Sequence, residues 1–425
     1  MEHVFSLMAV KSISIELGHD LLALVDPNQA TKYGNKFTEH KGFIKKQVAM
    51  DLGVVIPDIY FTDNLNLEPD MYVIKIKDAE ITTGELVLNS SLAVGPPDSL
   101  NLLKGIRYID NTYGVSLWIT QDQQEKAEDL GCIIFEPISV MATKIKEILH
   151  AYAYEFIDRQ YVKEVLESVK KSRPALIKEI YPSLFTLGEI REVLVNLLRE
   201  KISIRDIVTI LETLGNYGKI TKDTDRLTEY VRRNLSTYIC SEYRDSNGII
   251  TVMTIEPDLE KIIIESVRKD DYSSYLFLDP STEKNILTAF GEAIKDFVKK
   301  GIVPVVLCSP SMRLYVKRLT EKFYPSLAVL SRNEITGSIT VGGTVKLPEN
   351  LALKIKDRDV GKYIEKLMSD SDGSVRIEAI KLIGSNLNRL NKDSIFTFLD
   401  RGLEDKDKRV RLESARVLNE LYGRI

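Results

Sequence analysis

The sequence predicts an α+β multidomain protein: small mixed units, a helical block, a further α/β unit and a helical tail. Three observations predict it. Residues 158–236 carry helical periodicity throughout, broken into pieces by Pro174 and Pro182. Beyond Gly248, strand-like and helix-like segments alternate. A motif beginning at Asp370 recurs 35 residues later at Asp405, a spacing found in helical solenoids. At 425 residues the chain exceeds what one core supports, and roughly three to five compact units are expected.

Taken in order, residues 1–10 place Glu2 and His3 before a short apolar patch, with Lys11 after it. That is no signal-peptide layout, and the stretch is expected to be a linker remnant or a frayed terminus. No run in the chain approaches the roughly 18 apolar residues of a bilayer-spanning helix. Residues 11–87 read as strand, helix, strand, strand. Phe37 to Leu52 has a helical period, and Tyr72, Ile74 and Ile76 alternate with Val73, Lys75 and Lys77. Gly95-Pro96-Pro97 punctuates a change to a shorter strand-and-loop segment, residues 88–136, that ends near Glu136-Pro137. A helix from Ser139 to about Ile157 follows, within residues 137–157.

The helical block contains the sharpest local signal. Thr186 and Glu189 form a Thr-x-x-Glu capping pair, each side chain able to satisfy a backbone donor at the helix start. Ile190, Val193, Leu194, Leu197 and Leu198 follow at helical spacing, and Lys201 ends the run. Ser203 and Asp206 restart a helix whose apolar side is Ile207, Val208, Ile210, Leu211 and Leu214, with Gly215 expected as its stop. Arg226, Arg232 and Arg233, with Tyr230 and Tyr238, read as the solvated face of an amphipathic helix, opposite Leu227, Val231, Leu235 and Ile239.

Residues 237–356 form the α/β unit. Gly248 to Ile255 reads as a strand, Thr282 to Lys300 as a helix and Val303 to Cys308 as a buried strand. A helix from Ser311 to Phe323 and a strand from Leu327 to Leu330 come next. Residues 357–425 carry the repeat, Asp370-x-Asp372-x-x-Val375-Arg376 against Asp405-x-Asp407-x-x-Val410-Arg411. This pattern resembles a HEAT repeat, with Asp capping the turn and Val buried. Helices at about 359–368 and 393–403 supply the partner of each pair. Two repeats alone share a small core, so they are expected to pack on the α/β unit or on a partner.

Composition excludes several classes of function. A net charge of −4 argues against a nucleic-acid surface. Cys132, Cys240 and Cys308 are too scattered for a disulfide framework or a zinc knuckle, and are expected to be small buried residues. His3, His19, His40 and His150 lie at no metal-ligand spacing, and no phosphate loop or nucleophile elbow occurs. Asp370-Ser371-Asp372-Gly373 has its glycine too early for a calcium loop. Cys308-Ser309-Pro310-Ser311 leads from a strand to a helix, where Ser is expected as an ordinary N-cap in preference to an anion site. Gly342-Gly343 is read as a turn.

Leu194-Val195-Asn196-Leu197-Leu198-Arg199-Glu200-Lys201-Ile202-Ser203-Ile204-Arg205-Asp206 carries a further signal in its wording. So do Ile15-Glu16-Leu17-Gly18 with Leu21 to Asp26, Phe61 to Leu65 with Tyr72 to Ile76, and Asp110 to Gly114 with Trp118-Ile119. Val140 to Thr143, Thr221 to Asp223, Leu227 to Arg232, Pro304 to Pro310 and Val329 to Ile335 continue the series. In this order, over about residues 11–350, the chain resembles the cytoplasmic half of the flagellar and virulence type III secretion export-gate family, the FlhA/FHIPEP proteins.

The resemblance implies that residues 88–136 are a subdomain inserted into a first α/β subdomain made of 11–87 and 137–157. A helical domain, 158–236, and a ring-forming α/β domain, 237–356, complete the family pattern, and the HEAT-like repeats depart from it. It also implies a non-enzymatic docking platform without cofactors, assembled into a ring that is commonly nine-membered. The ring lies in the cytoplasm at the base of the inner membrane, beneath a membrane-spanning half that precedes this region in family members. Whether this chain is an excised portion or a soluble relative stays open. Implied partners are flagellar chaperone–cargo complexes, components of the export ATPase complex and other copies of the chain. The implied chaperone site is an Asp, an aromatic three residues later and a Thr opening the returning helix, matched by Asp110, Tyr113 and Thr143. The family aromatic is usually Phe, so Tyr113 adds a hydroxyl that needs a partner when covered. The recognisable triad favours a flagellar over a virulence system. Two rivals are a scaffold that binds through its tail and an enzyme built on residues 250–350, which the paucity of His disfavours.

Overall fold

The computed structural model of the chain describes residues 10–25, 34–110, 112–269, 274–346, 364–365, 367–385 and 392–422. The linker expected at 1–10, apart from Val10, and most of the helix expected at 359–368 lie outside them. The chain divides into two units, Met1–Leu235 and Ser236–Ile425.

The first unit holds two four-stranded sheets. β1 (Ile13–Leu17), β2 (Tyr60–Asp63), β3 (Met71–Ile76) and β4 (Ala79–Glu85) pair in the order β2-β1-β3-β4, with β1 and β2 parallel. Lys77 and Asp78 make the β3–β4 turn with φ of 50° and 61°, the left-handed pair that matches strand twist in a two-residue hairpin. α1 (Gly34–Leu52) packs beside α3 (Pro137–Ala151). Buried residues recur at i+4 on both helices: Ile44, Val48 and Leu52 on one, Met141, Ile145 and Leu149 on the other.

Between these helices in sequence lies the second sheet. β5 (Ser90–Val94), β6 (Ile106–Asp110), β7 (Gly114–Thr120) and β8 (Ile133–Phe135) run antiparallel in the order β6-β7-β5-β8. One face packs Ala93 and Ile119 against Leu100, Leu103 and Cys132, and against Ala127 of α2 (Gln124–Asp129).

Five helices complete the unit: α4 (Arg159–Ser172), α5 (Pro174–Ile180), α6 (Leu187–Arg199), α7 (Ile207–Tyr217) and α8 (Thr224–Asn234). The Thr186 capping box forms as read, with the Thr186 amide donating to Glu189 at 2.8 Å and the Glu189 amide donating back at 3.2 Å. Lys201 takes φ 60°, and the Ile202 and Lys201 amides donate to the carbonyls of Leu197 and Leu198, closing the helix. Asp206 caps α7 through the Thr209 amide at 3.1 Å. Gly215 does not stop α7, which continues to Tyr217. It is buried beside Ile180, whose Cγ1 would lie at an ordinary contact distance of 3.7 Å from an added Cβ. Arg232 also departs from expectation, being buried in an ion pair with Glu200 at 2.9 Å while Arg226 and Arg233 stay exposed.

The second unit begins with α9 (Ser236–Ser241) and contains a wholly parallel sheet. β9 (Ile250–Ile255), β12 (Val305–Cys308), β13 (Ala328–Ser331) and β14 (Ile339–Val345) lie in the order β13-β12-β9-β14. β10 (Val267–Lys269) and β11 (Ser274–Leu276) pair separately. α10 (Pro257–Glu265), α11 (Pro280–Lys299) and α12 (Arg313–Thr320) contribute Leu259, Phe290 and Val316 to a core with Met253, Val306 and Val329. Gly342-Gly343 is not a turn. It lies inside β14 at a register shift, where a Cβ on Gly342 would come within 2.7 Å of Thr251 and 3.0 Å of Phe297. The N-cap of α12 is Met312, not Ser311, and it makes no side-chain cap bond.

Helices α13 (Gly373–Ser385), α14 (Lys392–Leu403) and α15 (Lys408–Tyr422) share a core of their own, including Ala379, Ile380, Ile395, Leu399, Val410 and Val417. Asp372 and Asp407 cap their turns through the amides of Ser374 and Arg409, both at 2.8 Å. Val410 is buried as expected. Val375 is only half-buried, and its neighbour Arg376 is the covered residue, because it reaches the following repeat.

Candidate functional site

Asp110 ends β6, Tyr113 stands in the turn before β7, and Thr143 lies in the second turn of α3. Register explains the geometry. Ile106, Tyr108 and Asp110 share one sheet face with Trp118, Leu92 and Phe135, opposite the face that packs on α2. That face carries an aromatic cluster. Tyr108 meets Trp118 edge-on at 5.9 Å, and Tyr113 lies 5.1 Å from Phe135. The phenol of buried Tyr72 on β3 is held well above the ordinary range, chiefly by burial, with Tyr108, Asp110 and Tyr113 adding to it.

Asp110 uses its two oxygens differently. Oδ1 accepts from the Thr112 amide at 2.7 Å, an Asx turn that shapes the hairpin. Oδ2 accepts from Lys144 Nζ at 2.7 Å, with the two side chains only 12% and 18% exposed. Burial pushes the Asp110 carboxyl up, and the bonds from Lys144 and Thr112 outweigh it, leaving it below the usual carboxylate range. Burial pulls the Lys144 ammonium down, and Asp110 and Glu147 more than reverse that. Lys144 also stands 3.4 Å from Glu147, which accepts from the Thr112 hydroxyl.

The Thr143 hydroxyl donates to the Ser139 carbonyl one turn back, at 2.8 Å. The Tyr113 hydroxyl is buried with no hydrogen-bond partner among the described residues. Its phenol is shifted up, chiefly by burial, although the neighbouring Thr143 hydroxyl favours ionisation. The three positions singled out from the sequence thus lie together, where Lys144, Glu147, Phe135, Tyr72 and Tyr108 complete the site. Sequence reasoning missed these five. Lys144 adjoins Thr143 and was within reach, but Phe135 touches Tyr113 only because β8 joins the edge of the sheet.

Chemically the arrangement suits recognition. It offers an aromatic surface, the Lys144 ion pairs with Asp110 and Glu147, and hydroxyls, with no group of three or more His, Cys, Asp or Glu placed to hold a metal among the described residues. Apolar side chains lie exposed on the same sheet, with Ile109 67% accessible and paired across the hairpin with Val115. A cavity of about 820 Å³ lies elsewhere in the unit, lined among others by Gly53, Val55, Tyr161, Arg191 and Arg205, and includes none of the three positions.

The model of the FHIPEP family matches residues 1–340. The flagellar biosynthesis protein FlhA of Bacillus subtilis is 36% identical over 80% of this chain and 50% of its own length. FlhA of Borreliella burgdorferi is 32% identical over 77% of this chain and 46% of its own length. The chain therefore spans about half the length of these curated relatives. Among solved structures, Chlamydia pneumoniae CdsV in its complex with CdsO is 29% identical, with a TM-score of 0.71 over 80% of this chain and 98% of that one. The nonameric SctV-C of EPEC shares the fold, with a TM-score of 0.64 and 22% identity over 79% of this chain and 99% of its own. Helix capping at Thr186, the mixed α/β architecture and these matches agree: the chain belongs to the FHIPEP family.

Proposed function

We propose that this chain is a non-enzymatic docking platform of a flagellar type III protein export gate. It receives chaperone–cargo complexes at Asp110, Tyr113 and Thr143. The observation that carries the reading is the convergence of these residues, from a hairpin and from the second turn of a helix some thirty residues later, beside the Asp110–Lys144 pair. An aromatic patch supplies buried area and the flanking polar groups fix the orientation of an incoming helix.

The domain limits follow the same reading. A first subdomain of 11–87 and 137–157 carries an insert of 88–136, which is supported by the separate sheet of β5–β8 and the return of α3 onto α1. The helical domain is 158–236, the ring-forming α/β domain 237–356 and the HEAT-like repeats 357–425. The nonameric relative supports assembly into a ring, and the CdsV–CdsO complex supports a further protein partner, for which components of the export ATPase complex are the candidates. The ring would lie at the cytoplasmic side of the inner membrane.

Titration calorimetry with a flagellar chaperone–cargo complex tests the site. Asp110→Ala weakens binding while circular dichroism stays unchanged, and unaltered affinity would remove the assignment. Deleting residues 357–425 should leave docking intact, whereas its loss would favour a scaffold that binds through the tail.

A further inference from the structure

The tail holds one complete junction between its repeats and two unused halves of the same junction. Arg376, at the start of α13, donates to Asp405 twice, Nε to Oδ2 at 2.7 Å and Nη2 to Oδ1 at 2.9 Å. It also donates to the Asp370 carbonyl at 2.7 Å. The pair is 5% and 9% exposed, and Ile377 beside it packs on the tail core. Arg376 and Ile377 of the first repeat thereby grip the turn of the second.

The 35-residue offset places Arg411 where Arg376 stands, Leu412 where Ile377 stands and Asp370 where Asp405 stands. Arg411 makes the backbone part of the grip, donating to the Asp405 and Lys406 carbonyls at 2.6 and 3.1 Å. It meets no carboxylate among the described residues. Leu412 is 61% exposed, and Asp370 is exposed where Asp405 is covered. Among the described residues Asp370 Oδ1 accepts only the Asp372 amide, as Asp405 Oδ1 accepts that of Asp407.

We propose that the tail docks head to tail on the tail of a second copy. Arg411 and Leu412 of one copy meet the Asp370 turn of the next, as Arg376 and Ile377 meet the Asp405 turn within the chain. Charge selects this occupant, since each copy presents both complementary ends. Size agrees at one further contact. An added Cβ on Gly402 would meet Ser414 Oγ of its own repeat at 2.1 Å and Ile380 Cδ1 of the first repeat at 2.9 Å, and between copies the pair matching Gly402 and Ile380 is Leu367 against Ala415, with bulk and gap exchanged.

Two positions make the copy junction looser than the internal one. Lys408 replaces Gly373, whose missing Cβ admits Asp407, and Asn419 replaces Gly384, which adjoins Val417. Lys408 in return offers an ammonium to Asp372. The contact is weak and heterologous, the kind that closes into a ring or runs on as a filament, and other contacts between copies would raise its effective concentration. It lies beyond the family match at residues 1–340 and does not depend on the docking reading.

Sedimentation velocity over a concentration series of the full chain tests this. Arg411→Glu and Asp370→Arg each weaken tail-dependent association by roughly tenfold or more. An equimolar mixture of the two restores it, because the swapped charges again face their complements across copies. The double variant restores it for the same reason. Singles that associate like the parent chain, a parent that does not associate, or a mixture no better than its components would overturn the proposal. Asp370 is exposed and Arg411 half-buried, and unchanged circular dichroism confirms that the variants fold.

Discussion

Lys144 holds Asp110 across 34 residues of sequence, Nζ to Oδ2 at 2.7 Å, and so ties the β6–β7 hairpin to α3, the helix that packs beside α1. The two oxygens of Asp110 separate local from long-range roles. Asp110→Asn keeps an acceptor for the Thr112 amide and loses the charge that Lys144 needs. It is expected to weaken binding of a chaperone–cargo complex about tenfold with the hairpin intact. Calorimetry on Asp110→Asn, Asp110→Ala and Lys144→Ala checks this. If Asn binds as the parent does, the ion pair has no part in docking.

Tyr113→Phe removes a buried hydroxyl that makes no hydrogen bond among the described residues, although Thr143 lies beside it, and keeps the ring against Phe135. Relief of that desolvation should stabilise the first unit by about 1 kcal/mol in urea unfolding. Docking should be unchanged or slightly tighter, since the ring supplies the area. A clear loss of affinity would show that the hydroxyl contacts the partner.

Arg232 and Glu200 form a buried ion pair, 3% and 11% exposed. Arg232→Ala takes the guanidinium away from the covered Glu200 carboxylate and should cost about 3–5 kcal/mol. Replacing both by apolar residues of similar volume should cost far less, because the two charges are then removed together. Urea denaturation of the single and double variants measures the coupling, and an additive double variant would refute it.

What could be read from the sequence was local. The Thr186 box, the Asp206 cap and the closure at Lys201 each depend on residues within a few positions, and the structure forms all three. Gly215 and Gly342-Gly343 were misread because a glycine can end an element or let another chain approach, and only the neighbour decides. At Gly342 the neighbours are Thr251 and Phe297, whereas Gly215 only touches Ile180 at ordinary contact distance. Arg232 looked solvated for the same reason: its partner Glu200 lies 32 residues away on another helix. At the candidate site, Asp110, Tyr113 and Thr143 came from family wording. Phe135 needed the strand order, which no periodicity contains.

The last prediction concerns acid and the tail. The Arg376 hydrogen bonds lower the Asp405 carboxyl, and those from Arg409 lower Asp407 to about 2, from an ordinary 3.8. Both folded values lie below the unfolded ones, so the unfolded chain takes up these protons first as pH falls. The stabilisation is therefore complete above the ordinary value and is lost as pH drops through the folded values. Arg376→Met abolishes the Asp405 share. Thermal melts followed by circular dichroism should show a gap in Tm between parent and variant near neutral pH, and this gap should shrink as pH falls below the ordinary carboxylate value of 3.8. A gap that stays constant as the carboxylates protonate would mean that Arg376 acts through packing alone, and that the acid sensitivity of the tail arises elsewhere.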